Sequence, residues 1–255
     1  MKCRNREEVE SWLKINKIKN YEININLEVS VVGNVGLSGH NLDNIPVKFI
    51  SITGALDISC NHLKTLKNLP VEVGGDFNCN NNDLKLLSGC PKVIGGHFDC
   101  SGNKLKNLIG GPTSVKYYYS CNDNVINDLA GSPVEVHGDF DCSKNRLLTL
   151  NGGPSVVEFN YWCHDNLLMG IGLGIRVVLG DFKLDGNNIK DLVNGLEEVS
   201  GLISLSENRR EIKGLVESLE NADLKLSLSD MNRIVLKESL LDNLPQKTLK
   251  VFKKI

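Results

Sequence analysis

The stretch GDFNCNNNDLKLL at residues 75–87 returns with the same skeleton as GHFDCSGNKLKNL at 96–108 and GDFDCSKNRLLTL at 138–150. Working outward from these copies, asparagine recurs every 21 residues, at Asn61, Asn82, Asn103, Asn124, Asn145, Asn166, Asn187 and Asn208. A period in the twenties on an apolar skeleton predicts a repeat solenoid, in which each turn buries its apolar face only against its neighbours.

Three residues before the asparagine stand Cys79, Cys100, Cys121, Cys142 and Cys163, and flanking units put Leu37, Ile58, Leu184 and Leu205 there. A position shared by cysteine and aliphatic residues reads as core, so these thiols form a reduced column inside the stack. A metal site would need convergent ligands, whereas these lie on successive turns with no C-x2-C pair; no metal or cofactor is expected. Two residues earlier come Val35, Leu56, Phe77, Phe98, Tyr119, Phe140, Tyr161, Phe182 and Ile203. Two inward residues separated by an outward one define a short strand, and copies one period apart can pair only in parallel. The columns Leu42 to Ile189 and Ile45 to Leu192 then fill the core beneath the sheet.

The asparagine falls where each strand must turn, and its amide can satisfy backbone donors and acceptors that a buried turn leaves unpaired. Pro70, Pro91, Pro112, Pro133 and Pro154 fix the return stretch as extended. The convex side is therefore expected to be mostly irregular or polyproline-like. Residues 6–16, REEVESWLKIN, place Val9, Trp12 and Leu13 on one helical face, suited to an N-terminal cap over residues 1–28. The array runs over 29–216, and the leucine-rich tail 217–255 reads as the opposite cap, the whole forming one domain.

The skeleton L/V-x-F-x-C-x-x-N-x-L-x-x-L resembles the leucine-rich repeat, with Asn103 and Leu105 at positions that match the family's asparagine and leucine. More narrowly, GDFxCSxNxL at Gly138 to Leu147, with looser versions on either side, is similar to the short cysteine-bearing repeats of bacterial and tailed-phage proteins, and the lead-in NYEININLEVSVVGNVGLSGHNL resembles the phage members. The resemblance implies a curved, right-handed solenoid, of the α/β class by family, that binds a macromolecule on its concave sheet without catalysis. It also carries the expectation of a phage-encoded inhibitor of a host defence or nucleic-acid-processing protein. His40 at an asparagine position and Arg210 at a leucine position mark the end units as caps.

With 29 basic against 31 acidic residues, the net charge of −2 gives no general pull toward nucleic acid or membrane. No apolar run approaches the roughly 18 residues of a membrane span and the start MKCRNREEVESW lacks a secretory segment, so a cytoplasmic protein is expected.

The strand positions that point outward hold the candidate site. One column contains Asp57, Asn78, Asp99, Ser120, Asp141, Trp162 and Lys183; the position two earlier contains Asp76, His97, Tyr118, Asp139, Asn160 and Asp181. Six aspartates are expected to face one way, and Trp162 with Tyr118, Asn160 and His164 adds an aromatic patch that a solenoid does not need for folding. Exposed Trp and Tyr are frequent binding hot spots. Trp162 could instead fold down over its neighbours or mark a local distortion, because Tyr117 and Phe159 replace the glycine of other units. Lys64, Lys85, Lys106 and Lys190 form a separate edge, solvated by expectation. Nucleic-acid binding would pair aromatic with basic residues on one face, whereas here aromatics keep company with aspartate.

These features favour a non-enzymatic protein-interaction module with a monomeric chain and a partner whose contact surface is basic. A structural or self-associating repeat protein is the alternative. An enzyme is disfavoured: the five histidines fall in different columns, no Gly-rich phosphate loop is present, and paired carboxylates such as Asp139 and Asp141 are explained by strand geometry.

Overall fold

The computed structural model describes residues 3–190, 192, 196–206, 208 and 234–235; the C-terminal cap expected over 217–255 thus lies almost wholly outside the described residues. Where the sequence reads as one domain, contacts divide the chain into two compact units, Met1–Val125 with Gly131–Pro133, and Ile126–Ala130 with Val134–Ile255. Each is a parallel-strand β-solenoid.

The first unit opens with helix α1 (Arg6–Ile15), capped by Asn5, whose side chain accepts the Glu8 N–H, and carrying Glu7 and Glu8 in its positive first turn. Val9 and Leu13 are buried, and the Trp12 ring lies 6.4 Å from that of Phe49. Strand β1 (Tyr21–Ile23) pairs antiparallel with β2 (Glu28–Val31), and the later pairings among the described strands are parallel. After β3 (Val35–Gly36), β4 (Lys48–Ile52) and β5 (Leu56–Asp57), each turn contributes two strands of two residues. One ladder in this unit runs β3, β5, Phe77–Asn78, Phe98–Asp99, Tyr119–Ser120; the other runs β1, β2, β4, Glu72–Val73, Val93–Ile94, Ser114–Val115. The second unit repeats the plan, with Phe140–Asp141, Tyr161–Trp162, Phe182–Lys183 and Ile203–Ser204 in one ladder and Glu135–Val136, Val156–Val157, Val177–Val178 and Glu198–Val199 in the other.

The second ladder occupies the side expected to be irregular. Its inward residues Val73, Ile94, Val115, Val136, Val157, Val178 and Val199 are all buried. Two-residue strands are too short to show alternation in a sequence, and they pair because the stack brings equal backbone stretches of successive turns side by side.

The expected core columns are buried, except that Leu42 in the first turn is only half-buried. Within the aromatic column, Phe98 sits 5.7 Å from Phe77 and 4.9 Å edge-on to Tyr119, and Tyr161 lies 5.1 Å from Phe140 and 5.4 Å from Phe182. Each such side chain taken out of water contributes about 2–3 kcal/mol. The five column cysteines and Cys90 are buried free thiols, while Cys60 is exposed.

The ladder asparagines bridge turns through the backbone. The Asn103 Nδ2 donates to the carbonyls of Cys100 (3.1 Å) and Ser101 (3.2 Å) on its own turn and of Cys79 (3.1 Å) on the preceding one, while its Oδ1 accepts the Leu84 N–H at 3.0 Å. Asn61, Asn82, Asn124, Asn166 and Asn187 repeat the pattern. The residue just before each asparagine is left-handed: Cys60, Asn81, Gly102, Asp123, Lys144, Asp165 and Gly186 have φ of 51–64°. Most are Gly, Asn or Asp, which enter that region most cheaply.

Replacing Asn103 with Ala strands several buried backbone groups and should cost about 3 kcal/mol or more, read as a lower urea midpoint; Cys100→Val, nearly equal in volume, should cost under about 1.5 kcal/mol. Burial raises the thiols of Cys79, Cys100, Cys142 and Cys163 well above their ordinary value of 9.0. A raised value means the folded chain keeps protons that the unfolded chain releases, so stability holds below pH 9 and falls above it. Thiol titration of the native protein should modify Cys60 and then Cys3, with six more groups reacting only on unfolding.

Candidate functional site

The outward columns have a structural duty that the sequence reading did not assign. In the column of Asp57, Asn78, Asp99 and Asp141, each side-chain oxygen accepts the backbone N–H two residues on, at Ser59, Asn80, Ser101 and Ser143, over 2.9–3.0 Å. This is an Asx turn that closes the strand end before the left-handed residue. The repeated D-x-S of Asp57, Asp99 and Asp141 was the available signal. In the column two residues earlier, five side chains reach to the next turn: Asp76 accepts the His97 N–H at 2.8 Å, the Nδ1 of His97 the Tyr118 N–H at 3.2 Å, Asp139 the Asn160 N–H, Asn160 the Asp181 N–H and Asp181 the Leu202 N–H. The His97 bond requires an unprotonated Nδ1, which places its ring proton on Nε2.

In the first unit, His97 is exposed and meets Tyr117 at 5.4 Å and Tyr118 at 6.3 Å between ring centroids. Asp99 spends one oxygen on its Asx turn and the other on the Asn80 amide at 2.8 Å. Asp76 is exposed.

In the second unit, Trp162 is half-buried, paired in register with Lys183, whose ammonium lies 5.6 Å from the indole centroid. The irregular sequence of this turn does not distort it: Phe140, Tyr161 and Phe182 stay in register, and the Tyr161 N–H reaches the Asp181 carbonyl at 2.8 Å. Asp139, Asn160 and Asp181 are half-buried beside it; His164 binds Asp165 at 3.0 Å. Asp141 departs from expectation. It is 6% exposed, its carboxylate folded onto the Ser143 N–H, so it supports the turn rather than presenting charge. Ser120, in the same column of the first unit, is 1% exposed.

Three apolar neighbours of this face belong to the site and were underweighted by sequence reasoning: Phe159 is 58%, Leu179 45% and Leu202 43% exposed. Phe159 stands at the corner between the two ladders, a position held by Gly180 in the next turn, where an added Cβ would meet the Phe159 backbone. An aromatic side chain is accommodated at this corner only because it projects outward.

The carboxylates of this face are tied to backbone N–H groups, the column thiols are held neutral by burial, and among the described residues no three His, Cys, Asp or Glu side chains are placed to hold a metal ion. No described helix is long and apolar enough to cross a membrane. No protein-family model matches the chain, and no curated protein matches it.

Asp181→Ala should destabilise by about 1 kcal/mol through the orphaned Leu202 N–H, whereas Asp181→Asn should be neutral within about 0.5 kcal/mol, since Asn160 does the same work one turn earlier. Thermal melts of the two variants check this.

Proposed function

We propose that the Trp162 face of the second unit docks a protein partner and that the chain acts without catalysis. The observation that carries this reading is a half-buried indole under a lysine ammonium, at a column position where most other turns place Asp, Asn or Ser, flanked by exposed Phe159, Leu179 and Leu202. None of these side chains is needed by the asparagine bridges or the core columns, and aromatic anchors in such settings dominate binding energies. The tying of Asp139, Asn160 and Asp181 to the backbone supports the reading further. Side chains already fixed lose little rotamer entropy on binding, so their charge is offered at low cost. Two carboxylates beside an aromatic group suit a partner surface of lysine and arginine laid against apolar residues. A host protein of a bacterial cell, inhibited by a phage-encoded binder in its cytoplasm, is the specific case that the leucine-rich-repeat resemblance supports.

The double variant Asp139→Asn/Asp181→Asn keeps both backbone contacts and removes two charges, while Trp162→Ala removes the anchor. In affinity capture from bacterial lysate followed by titration of the recovered protein, wild type should bind at least about tenfold more tightly than either variant, and raised salt should erase the advantage over the Asn variant. Equal binding by all three would overturn the assignment of this face.

A further inference from the structure

The first turn of the array presents an open backbone edge. In β3 the Val35 N–H donates to the Ala55 carbonyl at 2.8 Å and the Leu37 N–H to the Asp57 carbonyl at 2.7 Å. In a parallel ladder alternate residues point to opposite sides, so the N–H and C=O of Gly36 point off the end of the stack. Among the described strands β3 is terminal in its ladder, which leaves the outward backbone groups of Gly36 without a neighbouring strand, whereas the other ladder is extended at this end by the antiparallel β1. Asn34, Gly36, Ser38 and Gly39 are exposed, and a Cβ built on Gly33, Gly36 or Gly39 would meet nothing within 4 Å. Residues 33–40, GNVGLSGH, contain none of the lysines or prolines that usually guard an edge.

The same turn continues into a groove of about 700 Å³ between residues 41–46 and the exposed side of α1. Its apolar lining includes Trp12, Pro46 and the 75% exposed Ile15; Glu7, Glu8 and Asp43 supply the charge, and among the described residues no lysine or arginine lines it.

We propose that this end of the array is a strand-addition site for an extended peptide segment of another protein, carrying an apolar anchor next to lysine or arginine. The peptide backbone completes the edge with main-chain hydrogen bonds through Gly36, the anchor enters the groove against Trp12 and Ile15, and its cations meet Glu7, Glu8 and Asp43. Charge selects this occupant over a second copy of the chain: the groove offers Glu7, Glu8 and Asp43 to a cation, whereas a two-fold pairing of β3 edges runs antiparallel, sets residues 41–46 of the two copies at opposite ends of the pair and leaves both grooves unfilled. No residue of the Trp162 face takes part, so each site stands or falls separately.

Selection of a displayed random-dodecapeptide library against the full chain is the test. The enriched peptides should share an apolar residue adjacent to Lys or Arg, and the best of them, made synthetically, should bind Gly36→Pro and Glu7→Lys/Asp43→Lys at least about tenfold more weakly than wild type. Gly36→Pro removes the outward N–H at a position where a Cβ meets nothing within 4 Å; should it melt lower than wild type, the charge-reversed variant decides alone. Failure to enrich, enrichment of peptides without basic residues, or equal binding to wild type and the charge-reversed variant would overturn the proposal. So would a wild-type dimer in light scattering that Gly36→Pro abolishes, which would give the edge to self-pairing.

Discussion

A buried carboxamide that touches two turns at once sets the terms for everything else in this protein. Asn103, like Asn61, Asn82, Asn124, Asn166 and Asn187, binds carbonyls of its own turn and of the preceding one, and takes an N–H from the preceding turn as well. Buried at the corner where the strand ends, these backbone groups would otherwise face the core unpaired. The bridge closes only when successive turns have equal length, and this is why the period stays at 21 residues while many other positions drift. Cysteine, leucine and isoleucine exchange in the adjacent column because only volume and apolarity matter there; no other side chain reproduces the amide's donor and acceptor pair at that reach.

The outward columns obey the same economy of backbone partners. Side chains that a surface map presents as an acidic face are occupied in holding N–H groups, at the strand end in one column and across to the next turn in the other. Asp, Asn and His share the second column because each offers an acceptor at the right reach, and charge is incidental to that task. Functional meaning therefore concentrates where the structural duty lapses. Trp162 and Lys183 cannot make the Asx turn of their column, and Phe159 fills a corner that needs no side chain. Their presence in otherwise regular turns is the departure on which the proposed docking face rests.

The two ends of the first turn illustrate how a repeat protein terminates. Helix α1 buries Val9 and Leu13 at this end, and β1 adds an antiparallel strand to one ladder. The backbone edge of β3 receives no such strand, so core exposure is dealt with here while strand pairing is not. Hydrophobic burial and hydrogen-bond completion are separate demands, and here they are met by separate elements.

The period and identity of residues 75–87 and their copies determined by themselves that the chain stacks in parallel turns, which columns enter the core, and that asparagine marks the corner. All of this follows from spacing, because a 21-residue register leaves one geometry in which like residues coincide. The helix Arg6–Ile15 was legible for the same reason, its apolar residues falling on one face. Only the tertiary structure decided what the outward side chains do. Sequence shows that Asp139 and Asp141 both leave the core, but whether a carboxylate meets solvent or a backbone N–H of the next turn depends on distances between segments that are remote in the chain. The second ladder and the open edge at Gly36 were hidden likewise, since two-residue strands carry no period and an unpaired edge is defined by a neighbour that is not there.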